Sequence, residues 1–86
     1  MPDLRRRIRR LRQRKANVRF RELCSLVEAT GWQLKNVRGS RHYYVKQGRR
    51  PLIIENHPGA IRPRWVDRVL DEVERDLEEE ESNNGG

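Results

Sequence analysis

Two short turns divide residues 32–55 into three segments that alternate apolar and polar side chains. Gly39-Ser40 separates the segments WQLKNV and RHYYVK, and Gln47-Gly48-Arg49 separates RHYYVK from PLIIE. Alternation with a period of two is typical of strands that bury one face, and connections this short join neighbouring antiparallel strands. The sequence therefore predicts a three-stranded antiparallel sheet.

Helical periodicity flanks the predicted sheet on both sides. Before it, apolar residues recur at i, i+3, i+4 and i+7 from Phe20 to Val27, with Asn17 as the N-cap candidate and Gly31 as a left-handed end. After it, apolar residues from Val66 to Leu77 follow at helical spacing, and this helix is predicted to begin near Pro63. The order αβββα, after a basic N-terminal extension, predicts an α+β fold with two helices on one face of the sheet.

Charge is distributed unevenly along the chain, which has 86 residues and a net charge of +7. Residues 1–21 hold ten Lys or Arg and one Asp, whereas residues 71–86 hold one Arg and eight acidic residues. A basic first half favours a polyanion partner, although a basic arm that neutralises its own acidic tail is the alternative. We divide the chain into a basic arm over 1–16, helical or disordered, a folded domain over 17–78 and a disordered tail over 79–86.

The only cysteine, Cys24, lies on the apolar face of the first predicted helix, where we expect a buried structural thiol. A single cysteine forms no internal disulfide and no apolar signal segment opens the sequence, so we expect a cytosolic protein. The segment LRRRIRRLRQRK permits an amphipathic helix but holds no aromatic residue to favour a membrane surface, and no membrane partner is expected. No Asp, Glu or His cluster has metal-ligand spacing, and we expect neither a metal ion nor another cofactor.

His42, one of two histidines, directly follows the first turn. From the alternation we assign His42, Tyr44 and Lys46 to the open face of the sheet, and Tyr43 and Val45 to the core. A histidine in such a place is a catalyst, a phosphate ligand or an ordinary polar strand residue. The residues alone leave these three interpretations open.

The layout resembles the HicA family, the small toxins of bacterial and archaeal toxin–antitoxin pairs. The resemblance covers about Val18 to Leu70 and rests on Gly39-Ser40-Arg41-His42 at the start of the second strand. The basic turn Gly48-Arg49-Arg50 and the loop ENHPGAIRP also match the family layout. The long arginine-rich start and the acidic end depart from it, and so does Arg41, where many members have another polar residue or His.

The resemblance implies a double-stranded-RNA-binding-like fold, metal-independent cleavage of mRNA by a single histidine, and inhibition by a HicB-like antitoxin protein. His42 matches the position of that histidine and is the expected catalytic residue. The residues expected to contact RNA are Ser40, Arg41, Tyr44, Lys46, Arg49 and Arg50, the aromatic ring by stacking a base and the cations by offsetting phosphate charge. A gapless match places Asn56 rather than His57 at the family's second histidine, so the role of His57 stays open.

Two other functions remain compatible with the sequence. One is a non-catalytic RNA- or DNA-binding module of the same fold, which the basic arm favours. The other is an interaction protein whose basic and acidic ends bind other proteins. Nothing in the sequence favours a particular oligomeric state.

Overall fold

The computed structural model of the chain describes residues 3–84. The helices are α1 (Leu4–Gln13), α2 (Phe20–Ala29) and α3 (Pro63–Asn84), and the strands are β1 (Gln33–Arg38), β2 (Arg41–Val45) and β3 (Leu52–Glu55). The strands form one antiparallel sheet in the order β1-β2-β3, and helices cover one of its faces. The predicted α+β fold is confirmed, with α1 as a third helix before the αβββα order.

Helix α1 is part of the folded domain, because it packs against α2 and α3. Ile8 and Leu11, two members of its narrow apolar stripe, are 2% and 7% exposed. Arg12 and Arg5 on the same helix form ion pairs with carboxylates of α3, which are Asp67, Asp71, Glu74 and Glu81. Of the two alternatives for the basic arm, the structure has the helical one over residues 4–13; Met1 and Pro2 lie outside the described residues.

Helix α2 begins later than the sequence indicates. Asn17 belongs to a short 3₁₀ turn over Lys15–Asn17, and Arg19 is the N-cap, so the prediction of Asn17 as the cap is wrong. The reason is Val18, which is fully buried and whose carbonyl accepts a hydrogen bond from the backbone N–H of Ile61 at 2.8 Å. Because the backbone of Val18 is extended, α2 begins only after it, at Phe20. Gly31 follows the helix with φ +98°, which confirms the predicted left-handed end.

The buried face of β2 is the opposite of the predicted one. Tyr44 is 2% exposed and is paired with Leu34 of β1 and Leu52 of β3, whereas Tyr43 and Val45 are only partly buried. The alternation fixes which residues share a face, but it does not tell which face the helices cover. The assignment of Tyr43 and Val45 to the core is therefore wrong.

Helix α3 continues through the acidic segment. It begins at Pro63 as predicted and runs to Asn84, so residues 79–84 are helical where the sequence suggested a disordered tail, and Gly85 and Gly86 lie outside the described residues. Ion pairs of Glu79, Glu80 and Glu81 with basic side chains of the domain account for this extension. Within residues 3–84, no helix has the length and apolar character needed to span a bilayer.

Candidate active site

His42 lies at the start of β2, directly after the tight turn at Gly39-Ser40. Its Cα atom is paired with those of Val37 in β1 and Ile54 in β3, and its side chain shares the helix-facing side with Tyr44. The expectation that His42 occupies the open face is therefore wrong. The side chain, at the end of the sheet, is still partly exposed.

Two contacts fix the imidazole ring of His42. The ring of Phe20, the first residue of α2, meets it edge-on with centroids 4.7 Å apart and planes at 65°. The Nδ1 atom lies 3.4 Å from the carbonyl oxygen of Ser40, and the same oxygen accepts a hydrogen bond from the backbone N–H of Asn56 at 2.8 Å. Because a carbonyl only accepts, the contact favours the neutral tautomer with the proton on Nδ1, in which Nε2 keeps its lone pair for a substrate.

The turn before His42 depends on Gly39. This residue has φ +59°, a backbone conformation that glycine adopts at no steric cost. The backbones of Arg38 and Arg41 close the hairpin on either side of the turn. The turn thereby points the Ser40 carbonyl at both His42 and Asn56, and Ser40 itself is exposed beside the histidine.

Only part of the expected RNA-contacting set lies near His42. Ser40 and Arg41 precede it directly, and Arg41 is exposed with its Nε atom 3.2 Å from Oε1 of Glu55. Lys46, Arg49 and Arg50 lie beyond the other end of β2, about 13 Å or more along the strand from His42. Arg50 is exposed there.

Lys46 and Arg49 are engaged by α3, contrary to their expected role as phosphate ligands. The Nζ atom of Lys46 lies 2.6 Å from Asp76 and from Glu80, and Arg49 contacts Asp76 at 2.9 Å and also Glu79. Side chains held in this way present little charge to a substrate. Their role in the structure is to attach the turn after β2 to α3.

Tyr44 is closed to base stacking, contrary to the prediction, because its ring lies in the core. Its hydroxyl donates a hydrogen bond to Oε2 of Glu28 at 2.6 Å, and burial together with this bond raises the pKa of the phenol well above its ordinary value. Cys24 is buried beside it, as predicted, and burial raises the pKa of its thiol. Neither group is poised for chemistry at neutral pH.

His57 follows β3 in the chain and contacts Glu55. Its Nε2 atom is 3.3 Å from Oε2 of Glu55, beyond the end of the edge strand β3. In the described part of the chain, no three His, Cys, Asp or Glu side chains are grouped so that they could hold a metal ion.

The sequence analysis missed Phe20, because its apolar spacing marked it only as a core residue. It packs on the edge of the core and contacts His42 instead. Its chain neighbours Arg19 and Arg21 are exposed, so they add positive charge at the end of the sheet that holds His42. The sequence did contain a signal for a place near the site, because Phe20 has an arginine on each side.

Comparison with known proteins identifies one family. The family model described as the HicA toxin of bacterial toxin–antitoxin matches residues 20–77, more than half of the chain. The match begins at Phe20, contains the whole sheet and ends within α3, so α1 lies outside it. Neither a curated protein nor a solved structure matches the chain significantly. With its sheet, its flanking helices and the Gly-Ser-x-His turn all inside the matched range, the chain belongs to the HicA toxin family of bacterial toxin–antitoxin systems.

Proposed function

We propose that this toxin is a metal-independent endoribonuclease that cleaves mRNA and uses His42 for proton transfer. The observation that carries the proposal is the fixed imidazole, with Nδ1 on the Ser40 carbonyl and Phe20 against the ring. Such an arrangement leaves one nitrogen of a partly exposed histidine for a reacting group. A histidine exchanges protons readily near neutral pH, as RNA cleavage requires.

RNA supplies its own nucleophile in this reaction. The 2′-OH loses its proton to Nε2 of His42, and its oxygen attacks the adjacent phosphorus. The bond from phosphorus to the 5′-oxygen then breaks, and the departing oxygen takes the proton from Nε2 of His42, which returns the imidazole to its neutral form. The products are a 2′,3′-cyclic phosphate and a 5′-OH, so one P–O bond forms and one breaks with no external reactant.

Exposed arginines around the site support binding of the negatively charged substrate. Arg41 precedes His42 in the strand, and Arg19 and Arg21 flank the phenylalanine that contacts it. Guanidinium groups offset the charge that builds up on the phosphate oxygens in the transition state. Arg50 lies at the far end of the sheet, where it can contact a more distant phosphate of the same RNA molecule.

The partner that we propose is a HicB-like antitoxin, in line with the toxin–antitoxin family. In a cell, such a partner has to block access to His42 or to the surface that binds RNA. The proposed mRNA substrate supports a cytosolic location. Co-purification of the chain with the product of an adjacent gene, together with loss of RNA cleavage in that complex, is the expected result.

Replacement of His42 tests the activity. Wild type, His42→Ala and His42→Gln are incubated with a mixed-sequence single-stranded RNA, and the products are analysed for 2′,3′-cyclic phosphate ends. We expect both variants to lose about 10²- to 10⁴-fold in rate while RNA binding is kept. Glu78→Ala, on the exposed side of α3, is the control and should cleave as wild type does.

Two results would contradict the proposal. Cleavage by His42→Gln at the wild-type rate removes His42 from the mechanism. Binding of RNA by all proteins with cleavage by none favours the non-catalytic RNA- or DNA-binding module, and the family relationship then extends to the fold but not to the activity.

A further inference from the structure

An apolar cavity of about 290 Å³ lies between the outer edge of β3 and α3. Its walls include Ile53, Ile61, Trp65 and Val69. A second depression continues along the same strand edge and shares Ile53, Trp65 and Val69 with the first. Ile53 and Trp65 are 45% and 44% exposed, so two large apolar side chains line this surface in contact with solvent.

The mouth of the cavity is polar, and its centre is the carboxylate of Glu55. Oε1 of Glu55 is 3.2 Å from Nε of Arg41, and Oε2 is 3.3 Å from Nε2 of His57. Each carboxylate oxygen accepts more than one hydrogen bond, so both keep acceptor capacity towards a ligand. A largely apolar cavity with a few convergent polar groups is the usual form of a small-ligand site.

Trp65 gives the cavity an aromatic wall. The guanidinium of Arg68 lies over its ring at 5.3 Å from the centroid, and Arg68 lines the second depression but not the first cavity. Exposed Arg50 lines the second depression as well. An aromatic ring beside arginines is the combination that binds the bases and phosphates of single-stranded nucleic acid.

The cavity lies next to the strand that carries His42. Ile54, which lines the cavity, has its Cα atom paired with that of His42, and Arg41 at the mouth is the residue before it. Adjacent strands are about 5 Å apart. A nucleotide near the scissile phosphate can therefore reach this cavity.

We propose that the cavity binds one unpaired base of the RNA, close to the cleavage position, and that Glu55 reads the base. This inference rests on the proposed function. The base inserts against Trp65 and Ile53, and the phosphates on either side meet Arg41 and Arg68. Guanine is the preferred base, because its neighbouring N1–H and N2–H donors match the two oxygens of one carboxylate.

The charge of the surface favours RNA over a peptide as the occupant. Arg41, Arg50 and Arg68 surround the two depressions, and Glu55 and Glu72 are the carboxylates there. Glu72 is paired with Arg75, which further reduces the negative charge of the rim. An apolar segment of a partner protein is the competing occupant, and binding measurements with abasic RNA distinguish the two.

The test uses RNA oligonucleotides of about eight nucleotides, a length within the usual site size, with 2′-O-methyl riboses that prevent cleavage. In each oligonucleotide one position in turn is abasic, and the dissociation constant is measured by fluorescence anisotropy. For wild type, we expect loss of the base to weaken binding by about 5- to 150-fold at one position or two neighbouring ones. Guanine at that position should bind best.

Four variants test whether the cavity causes this loss of affinity, which we call the abasic penalty. Trp65→Ala and Ile53→Ala should abolish the abasic penalty, whereas Leu34→Ala, a comparably exposed apolar residue on the far edge strand, should keep it. Glu55→Gln should remove the preference for guanine but keep the penalty for an abasic position. Two independent wall variants guard against an effect of misfolding, which a thermal unfolding curve also detects.

Several outcomes would overturn the proposal. One is that wild type binds every abasic oligonucleotide with equal affinity. Another is that Trp65→Ala and Ile53→Ala, the two wall variants, both keep the abasic penalty. Unchanged RNA binding by the wall variants together with weaker antitoxin binding identifies a protein-docking groove instead. The cleavage activity is judged separately: an abasic penalty confined to the cavity in a chain that does not cleave supports the base site and contradicts the endoribonuclease.

Discussion

The Nζ atom of Lys46 lies 2.6 Å from Oδ2 of Asp76, a carboxylate whose side chain is 3% exposed. Lys46 also donates to the carbonyl of Thr30 at 2.7 Å, and Arg49 contacts the other oxygen of Asp76. Burial acts to lower the pKa of Lys46, but the hydrogen bonds to Asp76 and Glu80 outweigh it and the pKa is raised. One buried carboxylate therefore joins the end of the sheet, the end of α2 and α3.

Removal of Asp76 should destabilise the domain strongly. Asp76→Ala leaves Lys46 and Arg49, which are only 16% and 14% exposed, without their shared carboxylate. Loss of one partner of a buried ion pair typically costs about 3–5 kcal/mol, and we expect the lower end of that range because Lys46 and Arg49 keep their contacts with Glu80 and Glu79. Urea unfolding measures this free energy, and Glu78→Ala on the exposed side of α3 should change it by no more than about 0.5 kcal/mol. If both variants lose a similar free energy of unfolding, the ion pairs of Asp76 do not stabilise the fold.

The two tyrosines of β2 should differ in the same measurement. Tyr44→Ala removes a ring that is 2% exposed and should cost about 3–5 kcal/mol, whereas Tyr43→Ala removes a partly exposed ring on the open face and should cost clearly less. The comparison reverses the expectation drawn from the sequence. A larger loss of stability for Tyr43→Ala would mean that Tyr43, and not Tyr44, faces the helices.

The order of elements could be predicted from the sequence, but the orientation of the sheet could not. Turn residues and alternation mark three strands, and helical spacing marks α2 and α3. The pair Tyr43-Tyr44, however, offers an equally good aromatic core residue on either face. Lys46 follows Tyr44 on the buried side, and no local pattern shows that a distant Asp76 neutralises it. The ion pairs of Lys46 with Asp76 and Glu80 could not be foreseen for that reason.

The docking of α1 was foreseeable in part. Asp67, Asp71, Glu74 and Glu81 lie four, three and seven residues apart, so they form one acidic stripe along α3. The basic helix α1 carries Arg5 and Arg12, separated by seven residues, and these two arginines contact that stripe. The complementary spacings indicate an antiparallel pair of helices. The cavity beside β3 was not foreseeable, because its lining comes from α2, from β2, from β3 with the loop after it and from α3, which meet only in the fold.

The exposed arginines of α1 should contribute to the salt dependence of RNA binding. Deletion of the whole arm would uncover the core, because Ile8 and Leu11 are buried, so charge removal is the sharper test. In the triple variant Arg6→Gln, Arg9→Gln, Arg10→Gln, the log–log salt slope should become shallower by about 0.7 for each phosphate that is no longer neutralised. Lys35→Gln on β1 is the control for an exposed charge outside α1. Equal slopes for wild type and the triple variant would exclude α1 from the RNA-binding surface.

Phe20 should act as a positioning residue for His42. Its ring meets the imidazole at 4.7 Å between centroids, an edge contact worth roughly 0.5–1.5 kcal/mol in other proteins. Leucine fills similar space but has no aromatic edge, so in Phe20→Leu the imidazole should lose its fixed orientation. A displacement of about 1 Å in a catalytic group can cost up to about 10²-fold in rate. We therefore expect kcat to fall about 10- to 100-fold while KM stays nearly unchanged.

Phe20→Tyr separates this role from simple packing, because it keeps the aromatic ring. Phe20 is only partly buried, so the added hydroxyl can reach solvent. This variant should cleave RNA within a few-fold of wild type, and both variants should bind non-cleavable RNA as wild type does. If Phe20→Leu and Phe20→Tyr cleave equally fast, the contact with Phe20 does not orient His42. If both lose stability and binding together, Phe20 serves the fold rather than the active site.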